Sequence, residues 1–339
     1  MKLKKKIKVA DKWIGDGYPC FIIAEAGANH DGKLSQAKKL IDIAKESGAD
    51  AVKFQTFKAE KLASKKEVHK MFETLKKYEL EPKWHIELKR YAEKLGIIFL
   101  STAFDEGSVD LLEKINVPAF KVASGDLTHL PLLRYIASKH KPMIVSTGGA
   151  NLREIRKAIK TIKAQKNEEI VLMHCVSNYP AKIEDANIRA IGTMNRLFNL
   201  PTGYSDHSLG TLVPLTAVTL SACIIEKHLT VNRSLPGPDH PFAMEPNEFQ
   251  KMVKEIRLLE KSLGDGIKCR KENEESEVKV GRRSIVAACN IAKGKKMIKK
   301  MIKIVRPGTG IPPKYLDSVI GRKAKINIKI DELITWDKI

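Results

Sequence analysis

The chain has 339 residues and a formal net charge of +21, with 43% hydrophobic and 6% aromatic residues. This excludes wholesale disorder and allows a large core plus one small extra domain. The basic residues are spread along the chain without interleaved aromatics, dense only in MKLKKKIK at the start and KGKKMIKKMIK at 293–303. They read as a solvated lysine-rich surface of the kind heat-adapted proteins carry, able to draw in anions, and not as a nucleic-acid interface.

Residues 1–17 read as a short hairpin turning at Gly15 to Gly17. The apolar run FIIAEAG follows and closes on Glu25. SQAKKLIDIAKESG has helical spacing, opened by Ser35 and closed by Gly48. ADAVKFQTF carries Lys53 and Gln55, and an excursion over 58–95 predicts two helices split at Pro82. IIFLSTAFD then ends in Ser101 and Thr102, AFKVASGD in Lys121 and Ser124, and MIVSTGG in Ser146 and Thr147. VLMHCVSNYP ends in His174, Ser177 and Asn178, GYSDHS holds Asp206 and His207, and CIIEKHLT holds Glu226, Lys227 and His228. Helices are predicted between these runs near 107–115, 131–139, 151–164, 187–198 and 209–221. The loop PGPDHPFA, with Asp239 and His240, leads into a last helix, NEFQKMVKEIRLLEKSLG, ending at Gly264.

Eight short apolar runs, each ending in polar groups and separated by helices, predict an α/β fold, a (β/α)8 TIM barrel over 1–264. Catalytic groups sit at the carboxyl ends of such strands. The charged stretch 265–280 reads as a linker, and 281–339 as a small, mostly β domain. Leu209 to Ile225 carries no charge, but Pro214 and the EKH cluster make it a buried helix and strand, not a membrane span. The five cysteines lack metal-site spacing, and three lie in apolar runs as buried free thiols. With no signal peptide at the basic start, a cytoplasmic location is expected.

His207 and His228 end adjacent predicted strands, within reach of a shared divalent ion; two imidazoles with open positions suit Mn²⁺, Zn²⁺ or Fe²⁺. Lys53 and Lys121 read as point charges for phosphate or carboxylate, or as Schiff-base nucleophiles. Ser101, Thr102, Ser124, Ser146, Thr147 and the glycines of TGG and ASG together resemble an anion site. Glu25 reads as a general base or a hydroxyl anchor.

AEAGANHDG, ADAVKFQT, FLSTAFD, FKVASGD, STGG, HCVSNYP, GYSDHSLG, EKHLT and GPDHPFAM together resemble the sialic acid synthase family. GRRSIVAA with RPGTG resembles that family's antifreeze-like (SAF) domain, a β-clip fold. The resemblance implies metal-dependent condensation of phosphoenolpyruvate with an N-acyl aminohexose, releasing phosphate. It implies a metal, Mn²⁺ first with Mg²⁺ and Co²⁺ as further candidates, held by His207 and His228. It implies phosphoenolpyruvate held by Lys53, Lys121 and Ser124, helped by Thr102, Ser146 or Thr147, and Asn178. Glu25 is the implied sugar contact and the candidate for handling the water proton; Gln55, Tyr179, Glu226 and Asp239 match further sugar-side positions. Asp239 joins Glu25, Lys53 and Lys121 as the implied catalytic set. Arg306 is the implied contribution of the partner in a domain-swapped homodimer.

No counterpart of the family's sugar contact stands out between 58 and 95. N-acetylmannosamine, giving N-acetylneuraminate, ranks first as acceptor. The diacetamido-trideoxyhexoses that give legionaminate or pseudaminate follow. Rival readings are a Schiff-base aldolase through Lys121, a synthase using a sugar phosphate, and a non-catalytic binding protein.

Overall fold

The computed structural model describes residues 6–339, so the first five residues of the basic start lie outside it. The chain divides into two compact units, Met1–Gly264 and Asp265–Ile339. The first unit begins with an antiparallel hairpin, β1 (Lys6–Val9) and β2 (Lys12–Gly15). Its turn is at Ala10–Asp11, with Ala10 in the left-handed region at φ 54°, and not at Gly15 to Gly17 as the glycines suggested. Gly15 instead ends β2, opposite Lys6, and Gly17 lies in the turn that leads to the next strand.

Eight parallel strands then close into a barrel: β3 (Phe21–Glu25), β4 (Ala51–Thr56), β5 (Ile98–Ala103), β6 (Phe120–Val122), β7 (Met143–Ser146), β8 (Ile170–Cys175), β9 (Thr202–Asp206) and β10 (Ile224–His228). They pair in sequence order, and β10 closes on β3 in register, Ile224 opposite Phe21 and His228 opposite Glu25. The helices are α1 (Leu34–Glu46), α2 (Ala59–Leu62), α3 (His69–Lys77), α4 (Pro82–Leu95), α5 (Glu106–Lys114), α6 (Leu130–Ala137), α7 (Leu152–Lys163), α8 (Arg189–Phe198), α9 (Leu212–Thr219) and α10 (Pro246–Leu263). Pro82 divides the excursion because it starts α4, where its missing N–H costs nothing, and Gly96 ends α4 at φ 68°. The uncharged stretch 209–225 is α9 running into β10; among the described residues no helix is long and apolar enough to cross a membrane.

Two apolar layers hold the barrel. Strand residues such as Ile22, Val52, Phe99, Leu172 and Ile225 point outward and pack under the helices with Leu40, Leu88 and Ile256. Phe21, Ile23, Ala51, Leu100, Ile144, Val171, Met173 and Ile224 point inward, and Ile7, Val9 and Ile14 of the hairpin cap them. The hairpin is therefore a plug in the amino-terminal end of the barrel, burying apolar surface that would otherwise face water.

In the second unit, the stretch read as a linker carries a short helix, α11 (Glu275–Gly281). β11 (Ser284–Ala287) pairs antiparallel with β12 (Ile302–Val305). The alternating carboxyl-terminal segment makes isolated bridges, Val286 to Leu333, Ile291 to Ile328 and Lys296 to Lys323, instead of long strands; a short α12 (Leu316–Val319) precedes it. Ile285, Ile291, Met297, Ile311, Ile328 and Ile334 form a core of their own. Ser284 fastens the turn after Arg306, donating to the Pro307 carbonyl at 2.6 Å and accepting from Gly310 N at 2.9 Å.

Candidate active site

The side-chain period of two along each strand selects which polar groups enter the barrel. On β3 the inward set runs Phe21, Ile23, Glu25, and on β4 Ala51, Lys53, Gln55. On β8 it runs Val171, Met173, Cys175, and on β10 Ile224, Glu226, His228. Each strand thus gives apolar residues to the plugged end and polar ones to the mouth. An inner cavity of about 70 Å³ is lined by Glu25, Lys53, Gln55, Thr102, Lys121, Ser124, Ser146, Tyr179, His207, Glu226 and His228. Phe104, Cys175 and Ser205 line it too, and were not singled out from the sequence. The alternation would have found two of them: Cys175 shares the inward face with Met173, and Ser205 with His207.

Other sequence candidates lie elsewhere. The Thr147 hydroxyl points away and donates to the Met173 carbonyl at 2.9 Å. Asn178 is exposed, and its Oδ1 accepts from Tyr179 N at 3.1 Å. Ser101 faces the helices, 2.7 Å from the Thr56 hydroxyl, which is 2.8 Å from His85 Nε2. His174 Nε2 donates to the Ala186 carbonyl. Asp206 and Lys227 form a buried ion pair on the outward face. Asp239 lines an outer vestibule of about 860 Å³, with Gln55, Tyr179 and His228 shared between the two spaces. Arg306 belongs to the second unit.

The inner cavity sets two buried lysines against two buried carboxylates. Lys53 Nζ lies 2.7 Å from Glu25 Oε2 and 3.8 Å from Glu226 Oε2, and donates to Thr102 Oγ1 at 2.9 Å. Lys121 Nζ lies 3.3 Å from Glu226 Oε1 and donates to Ser146 Oγ at 2.8 Å. Gln55 donates to Glu25 Oε1 at 2.9 Å, and Ser205 to Glu226 Oε1 at 3.0 Å. Burial pushes Glu25 up to about 7 against the pull of Lys53. Burial acts in the same sense on Glu226, but Lys121 and Lys53 outweigh it and hold that carboxyl down at about 2. Burial also lowers Lys121; Lys53 is raised despite burial because Glu226 and Glu25 flank it. One carboxylate is locked in the charged state, while the other exchanges a proton near neutrality.

His207 and His228 stand side by side at the rim, ring centroids 5.5 Å apart. His207 Nδ1 donates to the Val176 carbonyl at 2.9 Å, which leaves Nε2 with a free lone pair. Burial lowers His228 and keeps it neutral, and its Nδ1 has no hydrogen-bond partner, with Asp239 Oδ2 3.7 Å away. Tyr179 packs over His207 at 4.2 Å between centroids.

Comparison with known proteins gives this site a lineage. The NeuB family model matches residues 40–268, and the SAF domain model residues 282–339. The chain belongs to the NeuB family. It is a transferase-type enzyme, in a family whose synthases condense phosphoenolpyruvate with sugars to make sialic, legionaminic and pseudaminic acids. It is 47% identical to an uncharacterized protein of Methanocaldococcus jannaschii, over 99% of each chain. It is 44% identical to N,N'-diacetyllegionaminic acid synthase of Legionella pneumophila, over 96% of each. The crystal structure of the N-acetylneuraminic acid synthetase of Leptospira borgpetersenii superposes with a TM-score of 0.77 at 38% identity, covering 82% of this chain and 97% of that one. In this chain the barrel carries the NeuB match and the second unit the SAF match.

Proposed function

We propose that the inner cavity binds phosphoenolpyruvate and the vestibule an N-acyl aminohexose in its open-chain form. The observation that carries this reading is the convergence of Lys53, Lys121 and the hydroxyls of Thr102, Ser124 and Ser146 on one inner cavity, beside two histidines with free nitrogens. The lysines neutralise phosphate and carboxylate where water is excluded and charge pairs count for more than in solution. With Glu25 protonated, the four buried ionisable groups sum to one positive charge, which favours an anion.

Among the described residues no three His, Cys, Asp or Glu side chains group closely enough to cage a metal. His207 and His228 nevertheless fit an open two-imidazole site. One tautomer is fixed by the Val176 carbonyl, and buried acceptors remain unpartnered at His228 Nδ1 and Glu226 Oε2. A divalent ion held there, Mn²⁺ in the first instance, would supply Lewis-acid polarisation of the sugar aldehyde.

The methylene carbon of phosphoenolpyruvate forms a bond to the aldehyde carbon as the carbonyl π bond opens, and the aldehyde oxygen takes the proton of the Glu25 carboxyl to become a hydroxyl. Positive charge at the enol carbon beside the carboxylate is met by Glu226, and water adds there. Glu25, a carboxylate once it has given up that proton and oriented by Gln55, takes the water proton. The tetrahedral intermediate collapses to the keto acid, and phosphate leaves as its carbon–oxygen bond breaks.

The vestibule wall favours an acceptor poor in hydroxyls. Phe57, Val68, Met71, Leu75 and Phe242 line it. This, with the 44% identity to a diacetyllegionaminic acid synthase, supports a 2,4-diacetamido-trideoxyhexose ahead of N-acetylmannosamine. The exposed apolar rim of Tyr179, Ile183, Leu209 and Leu212 supports a cap from a second copy of the chain, whose SAF unit would contribute Arg306.

The test is phosphate release from phosphoenolpyruvate with each acceptor, with Mn²⁺ and with chelator. Release that needs sugar and metal, fastest with the diacetamido sugar, is expected. Sugar-independent release, or none from folded protein, would overturn the reading.

A further inference from the structure

Asp239 faces His228 from the loop after β10, and its carboxylate has one backbone anchor, Ala28 N at 3.0 Å. That anchor lies in the β3–α1 loop, where a side chain at Gly27, φ 49°, would land on Asp239 Oδ2. The loops after the first and last barrel strands must therefore keep a close mutual approach for Asp239 to hold its place.

The next residue, His240, supplies a link between them. Its side chain is wholly buried, and both ring nitrogens are engaged. Nε2 is 3.0 Å from Asp31 Oδ1 in the β3–α1 loop, and Nδ1 is 2.6 Å from the Thr230 hydroxyl just past β10. The Thr230 hydroxyl sits between His240 Nδ1 and the Asn232 carbonyl, 3.1 Å away, and accepts from Asn232 N at 3.1 Å, so the ring is tied to the turn after β10 as well as to Asp31. Asp31 is braced in turn by Gln36, which donates to Asp31 Oδ2 at 2.7 Å and to the Asn29 carbonyl at 2.6 Å. Asn29 donates across to the Leu229 carbonyl at 2.8 Å. No ring fits here without the glycine before it, since a side chain at Gly237 would meet His240 Cδ2 at 2.6 Å.

We propose that His240 is a positioning residue: the Thr230–His240–Asp31 chain is a latch that sets Asp239 against His228 for the acceptor sugar. The inference rests on the acceptor reading above. His240 touches neither the inner cavity nor the vestibule, so it acts through its neighbour. Both loops meet at the latch, so releasing it frees the acceptor side while Lys53 and Lys121 keep their partners.

The full-length protein with His240→Phe, which keeps a ring and removes both nitrogens, tests this beside His240→Gln, which keeps a donor toward Asp31. Expected for His240→Phe is a fall in kcat/KM for the acceptor of about 100-fold, the cost of misplacing a reacting group. KM for phosphoenolpyruvate should not change, and His240→Gln should recover part of the loss. Hydrogen exchange gives a readout independent of turnover: peptides covering 27–32 and 236–243 should lose protection together in His240→Phe. A lower melting temperature with acceptor kinetics intact, or exchange rising in one loop alone, would overturn the latch. Absence of turnover in the wild type would instead sink the acceptor reading, leaving exchange to decide the latch.

Discussion

The two ends of the barrel interior are built from the same eight strands and the same inward face, yet they do opposite work. At the amino-terminal end Phe21, Ile23, Leu100, Val171 and Ile224 meet Ile14 of the hairpin in a dry plug. Two residues further along several of those strands the face becomes Glu25, Thr102 and Glu226, joined by Lys53 and Lys121. The plug stabilises through apolar burial; the mouth spends stability by holding four ionisable groups out of water. Separating them along one strand lets chemistry be placed without weakening the closure beneath it.

The largest effect that tests this contrast is expected at Lys121. Lys121→Met should cut phosphate release by about 10³-fold, the scale of losing a preorganised charge partner. It should also destabilise by about 3–5 kcal/mol, because Glu226 is left buried with one lysine fewer. Pairing it with Glu226→Gln should restore the melting temperature and not the activity; a double variant that regains turnover would break the division of labour.

Ile14→Ala probes the other end. Ile14 is fully buried, so about 2–5 kcal/mol of stability should go. Denaturant unfolding would read that loss, and kinetic constants of the folded fraction should not move. A plug variant that stays stable but loses turnover would contradict the separation.

Acid should sharpen the contrast. Burial lowers His30, in the β3–α1 loop, and His85, behind β4, to about 4 from the ordinary 6.5. The unfolded chain therefore binds more protons between those values, so stability falls as pH drops through that window. The loss approaches about 3 kcal/mol per histidine by pH 4. Urea midpoints at pH 7 and 4.5 check this, and His85→Gln should flatten the dependence; a midpoint unmoved by pH would contradict the buried neutral rings. The smallest effect is expected for Ser205→Ala, which removes one hydrogen bond to Glu226 worth about 1 kcal/mol. A loss of unfolding free energy of about 1 kcal/mol with kcat lowered no more than several-fold would match, and a loss of turnover as large as that of Lys121→Met would contradict it.

The barrel was legible because each apolar run is short and ends in polar groups, while α1, α7 and α10 carry clear helical spacing. The hairpin turn misled because Ala10 takes the left-handed conformation that Gly15 and Gly17 advertise. In the site, chemistry-bearing residue types are visible at the strand ends, but their parity along each strand decides which of them enter the cavity. Alternation sends Ser101, His174 and Asp206 toward the helices and brings Cys175 and Ser205 into the cavity. Thr147 and Asn178 each engage a nearby backbone partner. The second unit's alternating tail suggested strands, whereas its backbone pairs only at isolated bridges between turns.

The most direct test of the central claim is calorimetric titration of phosphoenolpyruvate into wild type, Ile14→Ala and Lys121→Met. The account predicts wild-type affinity for Ile14→Ala and binding abolished or strongly weakened for Lys121→Met. Undiminished binding by folded Lys121→Met would contradict it.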